Sequence, residues 1–462
     1  MMNDVTIGII AAALAGKCVN TDNTVFKTIP SGVSIDSRSL SDGDVFVAIR
    51  GPRFDGHDYG HQAMEAGASL LVVDHALALN ISQIVVSDTF RALGQIGALV
   101  RSHFSGTLFG VTGSCGKTSV KEMLASVMAQ KSSVLATQGN LNNGYGVPLM
   151  LSRLDDHYES AVIEMGTSSP GEIAYVAGLA SPDISIITNA AESHLRDLKS
   201  VEGVAHEKGA ILDGLGKEGS AVLNIDDPHY GYWKERAIRA GSGRVVSFSK
   251  DNSEADFFAS DIRTGEQGMV FSLHGEKTVK TVHLQFWGAH QVQNACSSAA
   301  AAFSTGVSMD RIVAGLASAR PFSQRGQRYV LTNGTVVFDE TYNANPHSTR
   351  AAIDLLAGCP GQKILVLGDM LELGENTQSL HTDIGYYAKS KGIDTVLGFG
   401  EQTVLTVNAF GVGHHFDDKS DLIAWIEEHL SGRETVLVKG SKSMAMQDVV
   451  RLLVGMDYKG DH

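Results

Sequence analysis

The chain has 462 residues, too many for one core, and at 43% hydrophobic and 19% charged it reads as about three ordinary folded domains. A net charge of −14 argues against non-specific nucleic-acid binding and gives no reason to expect a membrane surface, so an anionic ligand needs a site of locally reversed sign. No apolar run reaches the ~18–20 residues of a spanning helix, and four scattered cysteines without metal-ligand spacing read as reduced thiols of a cytoplasmic protein.

The opening stretch MMNDVTIGIIAAALAGK is short and amphipathic, with Asp4 early and no basic start, which suits a first helix better than a signal peptide. Residues 1–86 then mix short strands, turns and the basic-aromatic stretch Val47–Gly60 (VAIRGPRFDGHDYG), the texture of a small separate α/β domain. Beyond them a different unit recurs: a β-branched apolar run ending in small or polar residues, followed by a helical pattern. Thr107–Gly113, Ser160–Gly166, Asp183–Asn189 and Ser220–Asp226 form one series; Lys363–Asp369, Asp394–Gly400 and Thr435–Gly440 form another. Such runs predict buried parallel strands in an α/β fold, with ligands at the carboxyl ends of the strands. Residues 251–285 alternate instead, which predicts antiparallel strands at a sheet edge. The helical pattern RIVAGLASAR stops at Pro321, and the expected domains are therefore 1–86, 87–320 and 321–462.

The most informative stretch is LFGVTGSCGKTSV, Leu108–Val120. In the usual phosphate-binding loop a glycine stands five positions before the glycine of Gly-Lys-Thr, and here that position is Val111, with glycines at Gly110 and Gly113. The setting is nevertheless strand, loop and helix. Gly113 and Gly116 let backbone N–H groups face an anion at a helix N-terminus, Lys117 supplies a point charge, and the Thr118 hydroxyl suits Mg²⁺. This reads as a nucleotide loop of a variant class.

Other strand ends carry further polar groups. Glu164 ends one strand as a metal ligand, a water-orienting group or a cap. Asn189 and His194 follow the next, and beside a phosphate loop His194 gains weight as a ligand. Lys208 sits on a helical pattern beside Glu207, where a solvated lysine is the plain reading. Asn140, Asn142 and Asn143 crowd a glycine-rich loop, either an ordinary turn or a reader of sugar hydroxyls and amides. The stretch Gly288–Ala302 opens with His290 and Asn294 and turns unusually small, and Asn294 can read a base edge. Asp339, Asn343 and Asn345 end a strand in FDETYNANP, and Lys439, Ser441 and Lys442 end another in a way suited to an anionic group. No Ser-His-Asp order or Cys-x-x-Cys site competes, so the chemistry points to phosphoryl transfer or activation. A ligase, a phosphate-loop kinase or ATPase, and a nucleotide-binding interaction module all remain open on these residues alone.

Taken together, the motifs resemble the Mur ligases of peptidoglycan synthesis. The pieces are GVTGSCGKT, DSRSLSDGDVFVAIRGPRFDGHDY, GNLNNGYGVP, IEMGTSSPGEI, DETYNANP, LGDMLELG and VKGSKSMAM, spread over residues 36–446. The resemblance implies three domains for a UDP-sugar, ATP and an incoming amine, and a monomer acting in the cytoplasm. It implies ATP-dependent amide formation through an acyl phosphate, with ATP and Mg²⁺, and with UDP-N-acetylmuramoyl-tripeptide and D-alanyl-D-alanine as small-molecule substrates. Neither nucleic acid nor membrane insertion is implied. Carried over to these positions, Thr112, Gly113, Ser114, Cys115, Gly116, Lys117 and Thr118 hold ATP, with Asn294, Arg325 and Asp339. Thr118, Glu164, His194 and Lys208, the last as a carbamate, support the metal ions, and Lys117, Glu164, His194 and Lys208 form the catalytic group. Ser37, Arg38, Arg53, Asn140, Asn142, Asn143, Tyr342, Asn343, Lys439 and Ser441 face the other substrates. The sequence departs from the family at Gln324, where glycine is common, and at Lys442, where arginine is usual and bidentate geometry is lost. RDLKS replaces a glycine-rich turn after His194, and Thr167-Ser168-Ser169 stands where Ala-Asn-His is common.

Overall fold

In the computed structural model, which describes residues 4–455, the chain folds around three sheets laid out in sequence order. The outermost ends of the first and last expected domains, residues 1–3 and 456–462, lie outside the described residues. The first sheet has five short strands, all parallel except the pair Lys17–Val19 with Gln83–Val85. The amphipathic start forms the helix Ile7–Leu14, capped by the Thr6 hydroxyl and buried through Ile7, Ile10 and Leu14.

The second sheet has nine strands. The four runs expected between residues 107 and 226 are its parallel centre: Thr107–Thr112, Ser160–Glu164, Ile184–Ile187 and Ser220–Asn224. All but two of their residues are buried, as befits strands covered by helices on both faces. Thr107–Thr112 lies between Ser160–Glu164 and Ile184–Ile187, so the chain reverses its direction of progress there and leaves a crevice at the carboxyl ends. The alternating stretch becomes the antiparallel edge Phe257–Gly265, Gly268–Gly275 and Thr278–Leu284, as expected. The third sheet has six strands. Its centre, Val336–Glu340, Glu434–Lys439, Gln362–Gly368 and Thr395–Phe399, is parallel and includes the three runs expected after residue 362.

Two packing features place the site. The helix Thr89–His103, capped by the Asp88 carboxylate, joins one hydrophobic cluster that runs from Ile7 through Val72 and Ile96 to Trp233. The first sheet and the lower layer of the second therefore share one core. The small-residue helix Ala289–Phe303 packs against the phosphate-loop helix Lys117–Met128, with Ser298 Oγ donating to Val120 O at 3.3 Å. On the same helix, Gly315 of the neighbouring Met309–Ser318 helix lies so close to Val127 that a Cβ would strike its Cα.

Candidate active site

At the carboxyl end of Thr107–Thr112 the backbone turns through Gly113 (φ +150°) and Gly116 (φ +86°) into the helix Lys117–Met128. Both glycines are required twice over. Their φ values are left-handed, and a Cβ would strike Thr188 Oγ1 at the first and Asn294 Oδ1 at the second. The displaced glycine of the variant loop is thus Gly113, fitted against the Thr188 hydroxyl of the next strand end. Ser114 N donates to Asn189 O at 3.0 Å and Cys115 N to Asn189 Oδ1 at 3.0 Å, so Asn189 shapes the loop from within. The first-turn N–H groups of the helix beyond Gly116 remain to face an anion. Lys117 Nζ folds back to Gly113 O at 2.7 Å.

Beneath the loop lies a buried oxygen cluster. Glu164 is 1% exposed and accepts from the Thr118 hydroxyl at 2.8 Å and from Asn142 Nδ2 at 3.0 Å. Burial alone raises its carboxyl, but the Arg325 and Lys117 charges and those two hydrogen bonds hold it below the usual range. Burial pushes the Lys117 ammonium down, against the pull of Glu164. Lys208 is also 1% exposed, and burial together with the Lys117 charge pushes its amine down to about 7. It is held on a fixed support. The neighbouring Glu207 accepts from Gly171 N at 2.7 Å and Ile173 N at 2.8 Å, clasping the turn after Glu164 to the helix Val201–Gly209.

The third sheet closes the other side. Arg325 lies 3.7 Å over the ring of Tyr342, and Lys442 lies 5.7 Å from the same ring. Lys439 Nζ donates to Asn343 O at 3.0 Å and stands 3.8 Å from Glu340. The Ser441 hydroxyl accepts from Leu371 N at 2.9 Å. Contacts cross from the second sheet's layer to the third: Asn345 Nδ2 lies 3.3 Å from Cys115 Sγ, Arg350 is 3.6 Å from Glu192, and His194 Nδ1 is 2.7 Å from Glu372 Oε2. At Gln324 the backbone keeps the left-handed form a glycine would take (φ +64°).

These groups surround one cavity of about 1130 Å³. Of the sequence-expected residues, Ser114–Lys117, the three asparagines 140, 142 and 143, and Glu164, His194 and Asn294 line its second-sheet side. Arg325, Tyr342, Asn343, Lys439 and Ser441 line the opposite side. Thr112, Gly113, Thr118 and Lys208 lie behind the wall, with Thr112 Oγ1 bonded to Met165 O at 2.8 Å. Asp339 is also behind it, 5% exposed and bonded to Thr341, while the next residue, Glu340, reaches the cavity. Ser37, Arg38 and Arg53 lie outside the cavity, on the first-sheet domain. Ser37 Oγ donates to Gln62 at 3.0 Å, Arg38 pairs with Asp36 at 2.7 Å, and Arg53 is exposed. A separate cluster in that domain, His57, Asp74 and His75, has metal-ligand atoms grouped together, but Asp74 N donates to His57 Nε2 at 2.9 Å and occupies its lone pair.

Sequence reasoning passed over Glu340 and Glu372, noted Glu207 only as a neighbour of Lys208, and noted Asn189 at a strand end without its role in the loop. A signal existed for the first two, since Glu340 sits inside DETYNANP and Glu372 inside LGDMLELG. Their partners come from distant segments, which single-sequence reading does not supply.

A phosphate loop facing cations and carboxylates from two sheets, across one cavity, defines a phosphoryl-transfer enzyme of the multi-domain α/β kind. Comparison narrows the class. The model of the Mur ligase family catalytic domain matches residues 30–98, that of the Mur ligase middle domain 111–302, and that of the Mur ligase glutamate ligase domain 324–442. UDP-N-acetylmuramoyl-tripeptide–D-alanyl-D-alanine ligase of Escherichia coli K12 is 39% identical over 454 residues, 98% of this chain and 99% of the relative. The enzyme of the same name from Bacillus subtilis is 32% identical, over 97% and 98%. A crystal structure of MurF from Acinetobacter baumannii superposes with TM-score 0.89 at 30% identity, covering 97% of this chain and 98% of that one. MurF ligase from Thermotoga maritima in complex with ADP gives 0.83 at 28%, over 92% and 97%. The chain belongs to the Mur ligase family.

Proposed function

We infer that the chain is an ATP-dependent ligase that joins D-alanyl-D-alanine to UDP-N-acetylmuramoyl-tripeptide, making the pentapeptide precursor of peptidoglycan. The observation that carries this reading is the shared cavity, where a phosphate loop meets the cation-rich strand ends of the third sheet. Identities of 39% and 32%, over nearly the full length, to UDP-N-acetylmuramoyl-tripeptide–D-alanyl-D-alanine ligases support the choice of substrates.

In the proposed division of labour, residues 1–86 hold the UDP-sugar through Ser37, Arg38 and Arg53, 87–320 hold ATP, and 321–462 hold the dipeptide. The loop Thr112–Thr118 wraps the phosphates, and Lys117 turns from Gly113 O to the γ-phosphate. Asn294, Arg325 and Asp339 serve the rest of the nucleotide. Asn140, Asn142 and Asn143 guide the tripeptide to the loop. Its terminal carboxylate attacks the γ-phosphorus, ADP leaves, and an acyl phosphate forms. The dipeptide amine, placed by Tyr342, Asn343, Lys439 and Ser441, then attacks the acyl carbon. The tetrahedral adduct collapses, phosphate leaves, and the amine gives up its proton. Lys117 and Arg325 offset the charge that builds on the transferred group.

The residues fit Mg²⁺. The Thr118 hydroxyl and the Glu164 carboxylate are buried hard oxygen donors 2.8 Å apart, the ligand type this ion prefers. They would hold a first ion, and His194, with Lys208 as a carbamate, would hold a second; when bound, the ions would supply charge neutralisation at the phosphates. An amine at about 7 has a substantial neutral fraction near pH 7, about half, and that form is nucleophilic toward CO₂, which supports Lys208 as a carbamate in this cluster. No helix among the described residues is long and apolar enough to cross a membrane. The proposed substrates are small molecules, and we take the enzyme as a monomer acting on them in the cytoplasm.

The test is phosphate release with ATP, Mg²⁺, the UDP-sugar tripeptide and the dipeptide, omitting one at a time. Release that requires all four, with a pentapeptide product by mass, is expected. ATP turnover without a carboxylate substrate would point instead to a kinase or regulatory ATPase.

A further inference from the structure

His194 and Glu372 meet across the boundary between the second and third sheets, and both are held in a backbone form that L-residues seldom adopt. His194 has φ +53° and Glu372 has φ +63°. Between them, Glu372 Oε2 stands 2.7 Å from His194 Nδ1. Nδ1 is buried without an aligned hydrogen bond, so the carboxylate beside it acts on the ring through proximity rather than through a formed bond. The backbones are tied as well: Arg196 N donates to Glu372 O at 3.3 Å, and Gly374 lies against the Arg196 backbone. Strained residues on both sides of one contact mark a place that the surrounding structure over-determines, which is the usual setting of functional geometry.

The chemistry of the pair fixes a proton. A carboxylate oxygen and a bare imidazole lone pair repel at 2.7 Å, whereas a carboxylate and an N–H attract. The proton of neutral His194 therefore belongs on Nδ1, and the lone pair is left on Nε2, the tautomer a metal-binding histidine needs. The second sheet's layer thus supplies the ring, and the third supplies the carboxylate that selects its tautomer.

We propose that Glu372 is a positioning residue for the metal centre: it reaches across from the third-sheet domain to fix His194, so that full metal affinity exists only when that domain is seated. This rests on the reading of His194 as a metal ligand. Coupling of this kind is reciprocal, so metal and nucleotide bound at the loop draw the third-sheet domain in by the same factor.

The experiment uses the full chain with Mn²⁺ as probe and a non-hydrolysable ATP analogue, counting bound Mn²⁺ by electron paramagnetic resonance. Outer-shell partners of metal ligands are worth about 10–100-fold in affinity. Glu372→Ala is expected to weaken the weaker class of Mn²⁺ sites by about 10-fold or more and to raise the Mg²⁺ requirement of turnover, with KM for ATP little changed. Glu372→Gln, which keeps an accepting oxygen, is expected to recover part of that affinity. Glu372→Gly separates the carboxylate from the backbone, because glycine adopts φ +63° without strain. It is expected to unfold no earlier than the parent and yet bind Mn²⁺ as weakly as the alanine variant. Mn²⁺ binding by Glu372→Gly equal to the parent overturns the proposal. His194→Ala tells the two readings apart. If it weakens the site while the Glu372 variants do not, only Glu372 is misassigned; if it leaves Mn²⁺ binding intact, the metal role of His194 falls with it.

Discussion

Lys117 makes its one strong contact with its own loop, the 2.7 Å bond to Gly113 O. It is therefore poised rather than structural, and Lys117→Ala should fold normally while losing about 10²–10³-fold in kcat/KM, the usual scale for one charge-stabilising donor. Steady-state phosphate release checks this, and a loss below about threefold would count against it. Lys208→Ala removes the proposed carbamate, and short carboxylic acids should restore part of the activity; no rescue at any concentration would weaken that assignment. His290 offers a pH test. Burial first, then the Lys439 and His347 charges, outweigh Asp354 and push it down to about 4, from an ordinary value near 6.5. The folded chain thus resists protonation that the unfolded chain accepts. Its contribution to stability is complete above about pH 6.5 and is lost as pH falls toward 4. His290→Gln should flatten that limb of a plot of unfolding midpoint against pH, and an unchanged slope would remove His290 from the account. At this scale the sequence was most legible where a chain-local pattern carried the chemistry, as in Gly113–Thr118. It was least legible for Glu207, which reads as a solvated neighbour of Lys208 until its bonds to Gly171 and Ile173, some 35 residues away, are seen.

Secondary structure followed from apolar runs because each central strand is covered on both faces, so the pattern needs no partner to be recognised. The ends did not follow. The run Asp183–Asn189 yields a strand of only Ile184–Ile187, because Thr188 and Asn189 turn inward to bond Cys115 O at 2.6 and 3.2 Å. The functional demand of the loop shortens the strand. Packing of the phosphate-loop helix on its neighbours depends on small residues, and Gly315 is the tightest of them. Gly315→Ala should cost about 1–3 kcal/mol, the usual penalty of overpacking, and should weaken nucleotide binding by displacing the helix that begins at Lys117. Urea unfolding beside an ATP-analogue titration measures both. The helix Pro346–Ala357 begins with a reciprocal cap in which Asn345 and Ser348 bond each other's backbone N–H. The same Asn345 touches Cys115, so one side chain both starts a helix of the third domain and meets the nucleotide loop.

Over the whole molecule, a chain of net charge −14 gathers Lys117, Lys208, Arg325, Lys439 and Lys442 around one cavity from segments more than 300 residues apart. Composition announced that a sign reversal was needed, but not where, since the cations come from several strand ends and helices, and only Lys439 and Lys442 share one. The three-sheet order was readable from the succession of runs. The mutual seating of the sheets was not, because it rests on a few side-chain meetings such as Arg350 with Glu192. Half-exposed pairs of this kind are individually weak, so such a seating is readily undone. Small-angle scattering should accordingly show a smaller radius of gyration with nucleotide analogue, UDP-sugar tripeptide and dipeptide together than without them. Identical curves would speak for a rigid molecule.

The contact between Cys115 and Asn345 has a consequence for covalent chemistry. The thiol fills the gap between the loop and the helix cap of the next domain, with Asn345 Nδ2 at 3.3 Å. An electrophile attached to that sulfur enters the cavity that the loop lines and acts there as a plug, and a group large enough to press on Asn345 acts as a wedge as well. Its bulk becomes a ruler: a series of alkylating agents of increasing size would grade how far apart the two domains are held, and bound ATP would shield the sulfur from all of them.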